Sequence, residues 1–481
     1  MKICILGLDS ATPQIAFQDE RLVNLRRLME LGVYGELPTV MPPETVPGWM
    51  SLVTSRDPGS LGVYGLCNRA DHSYASPSPA TSQSLKAPSL WDQVAAAGKK
   101  TILQGVPPNF PPRTVDGISI ACCLAGHSLT SEFTVPAGVI SGIRQLIGDY
   151  AADVSISAAG DKNELRQQIF EMSRKQWEVA RWLLREQEWD YFHFVDIGLN
   201  RVQRAFWDAF DEQHPRYQPE SPYQSVIADY YLWLDEQVGS VLELLDEETL
   251  VLVASANGMQ RLHGAIAINQ WLIEQGLLVL NRTPMSGITP FAQLDVNWAK
   301  TKAWSGDGVC APLYFNVQGR ETQGIVSAAQ CQALSEEIKS RLQSLRDPQN
   351  RPLSTLVLNP REIYRETSDS APDLIVQLGE GSWRALGSIG HPGLHVALDN
   401  EGCNPASPGL FVLVAPNCPL AGEYTGAHLL DMAPTILDLA GYEIPATMQG
   451  RSLVAGMEKK RDAGPDSDQI ILDRLAGLGY V

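Results

Sequence analysis

Two polar residues stand where they could do chemistry. Asp9 comes directly after the apolar run 4–8, so its carboxylate is predicted to lie at the carboxyl end of a strand, where open α/β sheets bind ligands. Thr45 lies two residues before Pro47, which suits the first turn of a helix, so Thr45 is predicted to be the N-cap. Its hydroxyl would then lie beside the free backbone N–H groups of the helix N-terminus, which could bind an anion. Both residues also have ordinary structural roles, as strand-end acceptor and helix cap, and the motifs alone leave function and structure open.

The elements that must position these residues alternate along the chain. Short apolar runs are separated by longer amphipathic stretches, and they occupy residues 2–8, 101–106, 191–195, 250–254, 373–378 and 410–415. Continuous apolar strands separated by helices predict a parallel sheet that is covered on both faces. The clearest helix is predicted over residues 163–186, where apolar side chains recur every three to four positions and Asn163 can cap the start.

Composition narrows the class of protein. The chain has 481 residues, of which 44% are apolar and 19% charged, and this is typical of a globular protein rather than a disordered one. The net charge of −18 disfavours nucleic acid and anionic membranes as partners. No apolar run approaches the ~20 residues of a membrane-spanning helix, and the eight cysteines lack metal-binding spacing. A cytoplasmic location is therefore predicted.

Several motifs carry a resemblance to a known family, and they run in the same order from residue 3 to residue 453. They lie at residues 7–13 (Gly-Leu-Asp-Ser-Ala-Thr-Pro), 25–29, 42–49 (Pro-Pro-Glu-Thr-Val-Pro-Gly-Trp), 58–65, 206–207, 267–272, 430–441 and 450–453. In these motifs the chain resembles the alkaline phosphatase superfamily, and within it the type I phosphodiesterase/nucleotide pyrophosphatase-like branch. The resemblance implies an α/β fold with a largely parallel central sheet, helices on both faces and a smaller inserted subdomain.

The domain organisation is predicted on the same basis. One alkaline-phosphatase-like α/β domain is expected over residues 1–458, with a possible inserted subdomain at about 260–370. Residues 459–481 are predicted to be a charged linker and a C-terminal helix.

The resemblance also implies a site of two divalent metal ions with a Thr or Ser nucleophile between them. Two such cations need carboxylate and imidazole ligands, and together they activate the hydroxyl and neutralise the phosphoryl oxygens. In this sequence Asp9 matches the first carboxylate ligand and Thr45 matches the nucleophile.

The other ligand positions depart from the family pattern. Where the family has Gly-Thr-Asp-Arg-x-Gln-His, this chain places Asn200 at the Asp and Arg204 at the His. Where the family has Ser-Asp-His-Gly, this chain has Ala256 and Asn257, and the stretch 401–409 contains no histidine. Only Asp9 remains as a matching ligand, and a permanently charged guanidinium cannot ligate a metal. The two-metal mechanism is therefore predicted to be lost, and no cofactor is expected.

Two hypotheses address what fills the site. In the first, an Asp9–Arg204 ion pair, with Arg201 as a second cation, replaces the metals, while Thr45 and Asn257 are neutral hydrogen-bonding groups. In the second, the substitutions are drift without a replacement role. A weak or mononuclear Zn²⁺ or Mn²⁺ site also stays open, in which Asp9 is joined by a histidine or cysteine; the candidates are His263, His391, His395 and Cys403. His193 is predicted to be a satisfied core residue.

Three functions follow from these alternatives. The chain is predicted to be a non-hydrolytic pseudoenzyme that binds an anionic small molecule or a protein partner, with Asn200, Arg201, Arg204 and Asn257 as ligand-binding residues. A second hypothesis is a repurposed, metal-independent transferase or hydrolase, with Thr45 as nucleophile, and Asp9 or His263 as the base. A third is a phosphodiesterase or phosphatase with rebuilt metal ligands.

Overall fold

The computed structural model describes residues 1–75, 77–126, 133–156, 161–284 and 287–457. The linker and helix predicted at 459–481 lie outside these ranges.

The described residues form strands and helices throughout their length. The strands are β1 (Ile3–Leu8), β2 (Val33–Leu37), β3 (Cys67–Asn68), β4 (Ser78–Pro79), β5 (Thr101–Gln104), β6 (Gly117–Ile120), β7 (Thr134–Val135), β8 (Tyr191–Asp196), β9 (Leu250–Ser255), β10 (Gly258–Arg261), β11 (Gly264–Ala267), β12 (Ala303–Ser305), β13 (Ala311–Phe315), β14 (Leu356–Leu358), β15 (Leu374–Gln377), β16 (Trp383–Leu386), β17 (His395–Val396), β18 (Cys403–Ala406), β19 (Gly409–Val414) and β20 (Gly422–Glu423). The helices are α1 (Pro13–Ala16), α2 (Val23–Leu31), α3 (Thr45–Thr54), α4 (Pro58–Leu61), α5 (Leu90–Ala96), α6 (Val139–Ile147), α7 (Lys162–Glu186), α8 (Gly198–Phe210), α9 (Val226–Leu242), α10 (Ile268–Glu274), α11 (Ala328–Gln343), α12 (Pro360–Ile363) and α13 (Met432–Ala440).

A nine-stranded sheet organises the larger part of the described chain, in the order β20-β2-β19-β9-β1-β8-β5-β6-β7. Its central strands β9, β1, β8, β5 and β6 are parallel to one another. β19 runs antiparallel to both of its neighbours, and β7 runs antiparallel to β6. The predicted fold class, a largely parallel α/β sheet, is therefore confirmed.

The central strands are buried on both faces, which explains why their sequences are continuously apolar. In β1, Cys4, Leu6 and Leu8 belong to one hydrophobic cluster, together with side chains of α2, α7, α8 and α9. Ile3 and Ile5 point to the opposite face and belong to a second cluster, together with side chains of α3, α5 and α13. This alternation is what a strand between two helical layers requires.

A smaller antiparallel sheet has a core of its own. Its order is β12-β13-β15-β14, and it packs with α10 and α11 in a third cluster that runs from Ile266 to Ala385. The possible subdomain predicted at 260–370 overlaps this unit, but the unit extends further along the chain. The apolar run 373–378 was expected in the main sheet, and this expectation is wrong: β15 pairs antiparallel with β13 and β14. A short apolar run does not itself specify which sheet it joins.

The longest described helix, α7, agrees with the predicted helix over 163–186, but its cap differs. Asp161, rather than Asn163, is the N-cap, and its side chain accepts the backbone N–H of Asn163. Within the described ranges, no helix combines the length and the apolar character needed to cross a bilayer.

Candidate functional site

Three adjacent strands of the main sheet end beside one another and bring the predicted site residues together. β9, β1 and β8 are neighbours, and Asp9 follows β1 directly. Asn200 lies in the first turn of α8, just after β8, and Asn257 follows β9. Because the carboxyl ends of parallel strands share one edge, these side chains can meet there, as the sequence predicted.

Asp9 is fully buried, and neutral donors surround its carboxylate. The Trp49 indole N–H donates to Oδ1 at 2.6 Å. Oδ2 accepts from Asn200 Nδ2 at 3.0 Å, from the Thr45 hydroxyl at 3.1 Å and from the Ser10 hydroxyl at 3.2 Å. Burial raises the pKa of Asp9, and the hydrogen bonds from Trp49 and Thr45, together with the charge of Arg201, partly offset that rise.

Ser10 links the three strand ends. Its hydroxyl donates to Asp9 and accepts from Asn200 Nδ2 at 3.0 Å and from Asn257 Nδ2 at 2.9 Å. The backbone of Ser10 has φ of 68°, a left-handed conformation that is uncommon for a residue other than glycine. The sequence interpretation missed Ser10 and Trp49. Trp49 could have been found from its position on a helix four residues after Thr45, which places both side chains on one face.

Thr45 contacts Asp9, but it is not the helix cap. Helix α3 begins at Thr45, and the preceding Glu44, with extended φ and ψ, is the N-cap residue. The predicted N-cap assignment is therefore shifted by one residue. Because its hydroxyl donates to Asp9, Thr45 is held against the buried carboxylate while its side chain stays partly exposed.

The two arginines of α8 have different partners. Arg201 forms a two-pronged ion pair with Asp153, at 2.7 and 2.8 Å, and its Nη1 donates to Asn200 Oδ1 at 2.7 Å. Burial disfavours the charged guanidinium of Arg201, but Asp153 outweighs this effect and raises its pKa. Arg204 Nη2 donates to Glu401 at 2.6 Å. The expected Asp9–Arg204 ion pair is therefore wrong, since Arg204 points to Glu401, and Arg201 is the cation whose charge acts on Asp9.

Where the family motif Ser-Asp-His-Gly has its Asp and His, this chain has the methyl group of Ala256 and the amide of Asn257. Asn257 is fully buried, and its Nδ2 donates to Ser10 and to the Gly258 carbonyl oxygen. Its Oδ1 has no hydrogen-bond partner within the described part of the chain. Ala256 packs against α3, because a Cβ built on Gly48 would lie 3.0 Å from the Ala256 Cβ. A carboxylate at position 256 would therefore meet the helix that carries Thr45.

The structure does not bring His263 to Thr45. Asn257 precedes strand β10 and His263 follows it, so about 13 Å of extended strand separates the two residues. Its backbone N–H donates to the Ser382 carbonyl oxygen, and its ring packs against Trp383. The assignment of His263 as a base for Thr45 is corrected accordingly, since strand β10 carries it away from the sheet edge.

The other two histidines proposed for a rebuilt metal site also have separate partners, and the cysteine is buried. His391 Nε2 lies 2.9 Å from the Ser388 hydroxyl, and His395 Nε2 lies 2.7 Å from the Arg346 carbonyl oxygen. Cys403 is fully buried in β18. Across the described ranges, no group of three or more His, Cys, Asp or Glu side chains is arranged to hold a metal ion.

The donor set around Asp9 does not fit a divalent cation. An indole N–H and an amide NH₂ cannot ligate a metal, and both already use the oxygens of Asp9 that a metal would need. The orientation of the Asn200 amide is fixed by its other side, because Oδ1 accepts from Arg201 and Nδ2 must therefore face Asp9.

His193 gives the buried region a distinct pH dependence. It is fully buried in β8 beside Trp49, and burial lowers its pKa to about 3. Its Nδ1 lies 3.1 Å from the Tyr191 hydroxyl, whereas its Nε2 has no partner among the described residues, so the expectation of a satisfied core histidine holds for one nitrogen.

We expect this histidine to reduce stability in acid. The unfolded chain takes up a proton near pH 6.5 and the folded chain does not, so stability falls as the pH drops from about 6.5 towards 3. Between pH 6.5 and 4.5 the loss is roughly 2–3 kcal/mol, at about 1.4 kcal/mol per pH unit for one proton. Urea unfolding of wild type and His193→Gln across this range checks it: the variant should lose less stability by that amount, and equal slopes would refute the assignment.

Comparisons with solved structures agree with this fold. Phosphonoacetate hydrolase from Sinorhizobium meliloti, in complex with phosphonoformate, superimposes with a TM-score of 0.59 at 14% identity, over 92% of this chain and 96% of that chain. Human ectonucleotide pyrophosphatase/phosphodiesterase 5 gives 0.53 at 12% identity, over 94% and 97%. Its murine counterpart, an inactive variant in complex with AMP, gives 0.53 at 12% identity, over 92% and 96%. At these identities the likeness shows the fold alone.

The family follows from the sequence match. No curated protein sequence matches the chain significantly. A model of the type I phosphodiesterase/nucleotide pyrophosphatase family, however, matches residues 3–404, which include all strands of the main sheet except β19 and β20, and the smaller antiparallel sheet. The resemblance seen in the motifs is thereby confirmed, and the chain belongs to the type I phosphodiesterase/nucleotide pyrophosphatase family.

Proposed function

We propose that the chain is a metal-independent, non-hydrolytic member of its family that binds an anionic ligand or protein partner at the carboxyl edge of its main sheet. The observation that carries the proposal is the Asn200 amide, whose Nδ2 donates to Asp9 while Arg201 holds its Oδ1. Together with Trp49, Thr45 and Ser10, this amide donates hydrogen bonds to the Asp9 oxygens. A metal ion would have to displace these donors in order to coordinate the carboxylate.

The charge distribution favours a small anion or a protein as the occupant. Arg201 and Arg204 both lie on α8, where they pair with Asp153 and Glu401, so two guanidinium groups stand near this edge of a chain whose net charge is −18. Arginine suits this role, since its planar group can form paired hydrogen bonds with an oxyanion. Nucleic acid and anionic membranes are disfavoured by the overall charge, and the cytoplasmic location stays a prediction.

A second candidate function rests on the Thr45–Asp9 contact. The Thr45 hydroxyl donates to a carboxylate whose pKa is raised by burial, and a less acidic carboxyl group is a better general base. This pair could therefore activate Thr45 for a metal-independent group transfer or hydrolysis. Arg201 is the nearby cation that could stabilise negative charge, although Asp153 already holds it.

Metal content separates these functions from a phosphodiesterase with rebuilt ligands. We expect the chain, purified without chelator and dialysed against Zn²⁺ and Mn²⁺, to retain well under one equivalent of metal by elemental mass spectrometry. Asp9→Ala is the test variant. Asp116→Ala is the matched control, because Asp116 is an exposed aspartate that forms an ion pair with Lys100. One or two bound equivalents that disappear in Asp9→Ala but not in Asp116→Ala would contradict the proposal.

Substitution of Thr45 separates binding from metal-independent catalysis. In the presence of EDTA, turnover of phosphodiester and phosphomonoester substrates should be absent from wild type and Thr45→Ala alike. An EDTA-resistant activity that Thr45→Ser retains and Thr45→Ala loses would replace the binding proposal with the second candidate.

A further inference from the structure

Four charged side chains meet where α8, the start of α3, strand β16 and the segment before β18 approach one another. Arg204 comes from α8, Arg384 from β16, Glu401 from the segment before β18, and Glu44 precedes α3. Both arginines act electrostatically on both glutamates. Arg204 and Arg384, here called the two-arginine clamp, have side chains that are only 24% and 15% exposed.

Glu401 occupies the clamp. Its Oε1 accepts from Arg204 Nη2 at 2.6 Å, and its Oε2 lies 2.5 Å from Arg384 Nη1. Burial alone would raise the pKa of Glu401, but the two arginines outweigh that effect and lower it, so the carboxylate is ionised at neutral pH. One negatively charged group is thus held between two guanidinium groups.

The fit of Glu401 in the clamp is incomplete. Oε2 makes a close ionic contact with Arg384 Nη1, but this contact is not a well-aligned hydrogen bond. Arg204 Nε is buried and has no acceptor among the residues that the structure describes. A carboxylate has two oxygens in one plane, whereas a tetrahedral oxyanion offers more acceptors in three dimensions. The unmatched Nε donor therefore favours a tetrahedral group over the carboxylate.

We propose that the two-arginine clamp is the binding site for a tetrahedral oxyanion, of the phosphate or sulfate type, and that Glu401 is an internal competitor which the ligand displaces. This inference rests on the proposed function, and it assigns that function a site and a ligand class. The two guanidinium groups provide the charge that such anions need. Arg384 is held by Asn404, whose Oδ1 accepts from its Nε and Nη2, and it presents Nη1, while Arg204 presents Nη2 and the unmatched Nε. Glu401 lies in a segment whose preceding residues Asp399 and Asn400 are exposed, so the carboxylate has solvent into which it can move.

Glu44 limits how much negative charge the site can hold. It lies close to both arginines, which act on its carboxylate together with the backbone N–H groups of Leu66 and Val309. Burial raises its pKa, which makes it easier to protonate when an anion enters. Entry of an anion together with departure of Glu401 therefore keeps the buried charge near balance.

Titration with inorganic phosphate, followed by ³¹P NMR in the presence of EDTA, tests the proposal. Glu401→Gln should tighten phosphate binding at least fivefold, because it removes the internal competitor. Arg384→Met should weaken binding at least tenfold, and Arg384→Lys should restore part of it. Matched controls at exposed helical ion pairs are Glu171→Gln and Arg341→Met, which change the net charge equally and should leave the dissociation constant within twofold of wild type.

Other outcomes overturn the inference. Phosphate affinity that is unchanged in both Glu401→Gln and Arg384→Met, with both variants folded by circular dichroism, would show that the clamp is not the site. Thermal stabilisation by sulfate but not by acetate is expected, and equal stabilisation by acetate would refute the tetrahedral class. Because EDTA is present, these results do not depend on metal: bound metal with chelator-sensitive turnover would refute the proposed function, whereas loss of the Arg384 effect alone would refute the clamp.

Discussion

Replacing Asp9 by alanine is expected to lower the free energy of unfolding by about 3–5 kcal/mol. The carboxylate accepts hydrogen bonds from Thr45 and from three donors that are themselves buried, namely Trp49, Asn200 and Ser10. A buried donor that loses its acceptor costs about 1–3 kcal/mol, and alanine removes the acceptor from all of them at once. Asp9→Asn should cost less, about 2–3 kcal/mol, because the new amide keeps one oxygen but turns an NH₂ group towards a donor.

Urea unfolding in the presence of EDTA measures this effect. Asp116→Asn is the control, since its ion pair with Lys100 is exposed and such pairs contribute little to stability. The direction of the Asp9→Asn effect also separates two views of the site. An acidic metal site stripped of its metal usually gains stability when a carboxylate is neutralised, because repulsion between ligands falls. Asp9 here has hydrogen-bond donors rather than other carboxylates as neighbours. An unchanged or increased stability of Asp9→Asn would therefore contradict this arrangement of donors.

The position of the site could be predicted from local sequence patterns. Continuous apolar runs identified β1, β8 and β9, and residues that follow parallel strands must share one edge of a sheet. For that reason Asp9, Asn200 and Asn257 could be placed together before any side-chain contact was known. The family motifs indicated the same positions, since they lie at the ends of these strands.

The partners of the arginines could not be predicted in this way. Arg201 and Arg204 lie on one helix, and which of them faces Asp9 depends on the rotation of α8 and on two distant acceptors. Those acceptors are Asp153 and Glu401, which lie 48 residues before Arg201 and 197 residues after Arg204. Asp153 belongs to no motif, and the stretch that begins with Glu401 was notable only for its lack of histidine, so no local pattern indicated that Arg204 is already paired.

The role of Ser10 was also hidden from the sequence. A serine after a strand-end aspartate is typical of a turn, and its type says nothing of a positive φ. In the structure this conformation places the hydroxyl between Asp9, Asn200 and Asn257. The two asparagines that replace family ligands therefore depend on a residue whose contribution appears only in three dimensions.

Replacing Gly7 by alanine is expected to destabilise the chain by about 2–4 kcal/mol, through overpacking and through displacement of Trp49. A Cβ built on Gly7 would lie 2.5 Å from Trp49 Cη2 and 2.8 Å from Val195 Cγ2. Both neighbours are buried, so the indole must shift, and its N–H would then lose the 2.6 Å hydrogen bond to Asp9. Gly393→Ala is the matched control, because a Cβ at that position meets no atom within 4 Å. Thermal or urea unfolding of the two variants gives the comparison.

A double-mutant cycle with Trp49→Phe tests whether the indole transmits the effect of Gly7→Ala. Phenylalanine is smaller and has no N–H donor, so the single variant already loses the hydrogen bond to Asp9 and leaves space above Gly7. In that background Gly7→Ala should cost at least 1 kcal/mol less than in wild type, because contacting residues show interaction energies of about 0.5–3 kcal/mol. Additive effects would mean that Val195 and the backbone absorb the new methyl group, and that strand β1 does not govern the position of Trp49. A coupled result would instead show that the lack of a side chain at position 7 allows Trp49 to reach Asp9, and so helps to hold the carboxylate in a hydrogen-bonded environment.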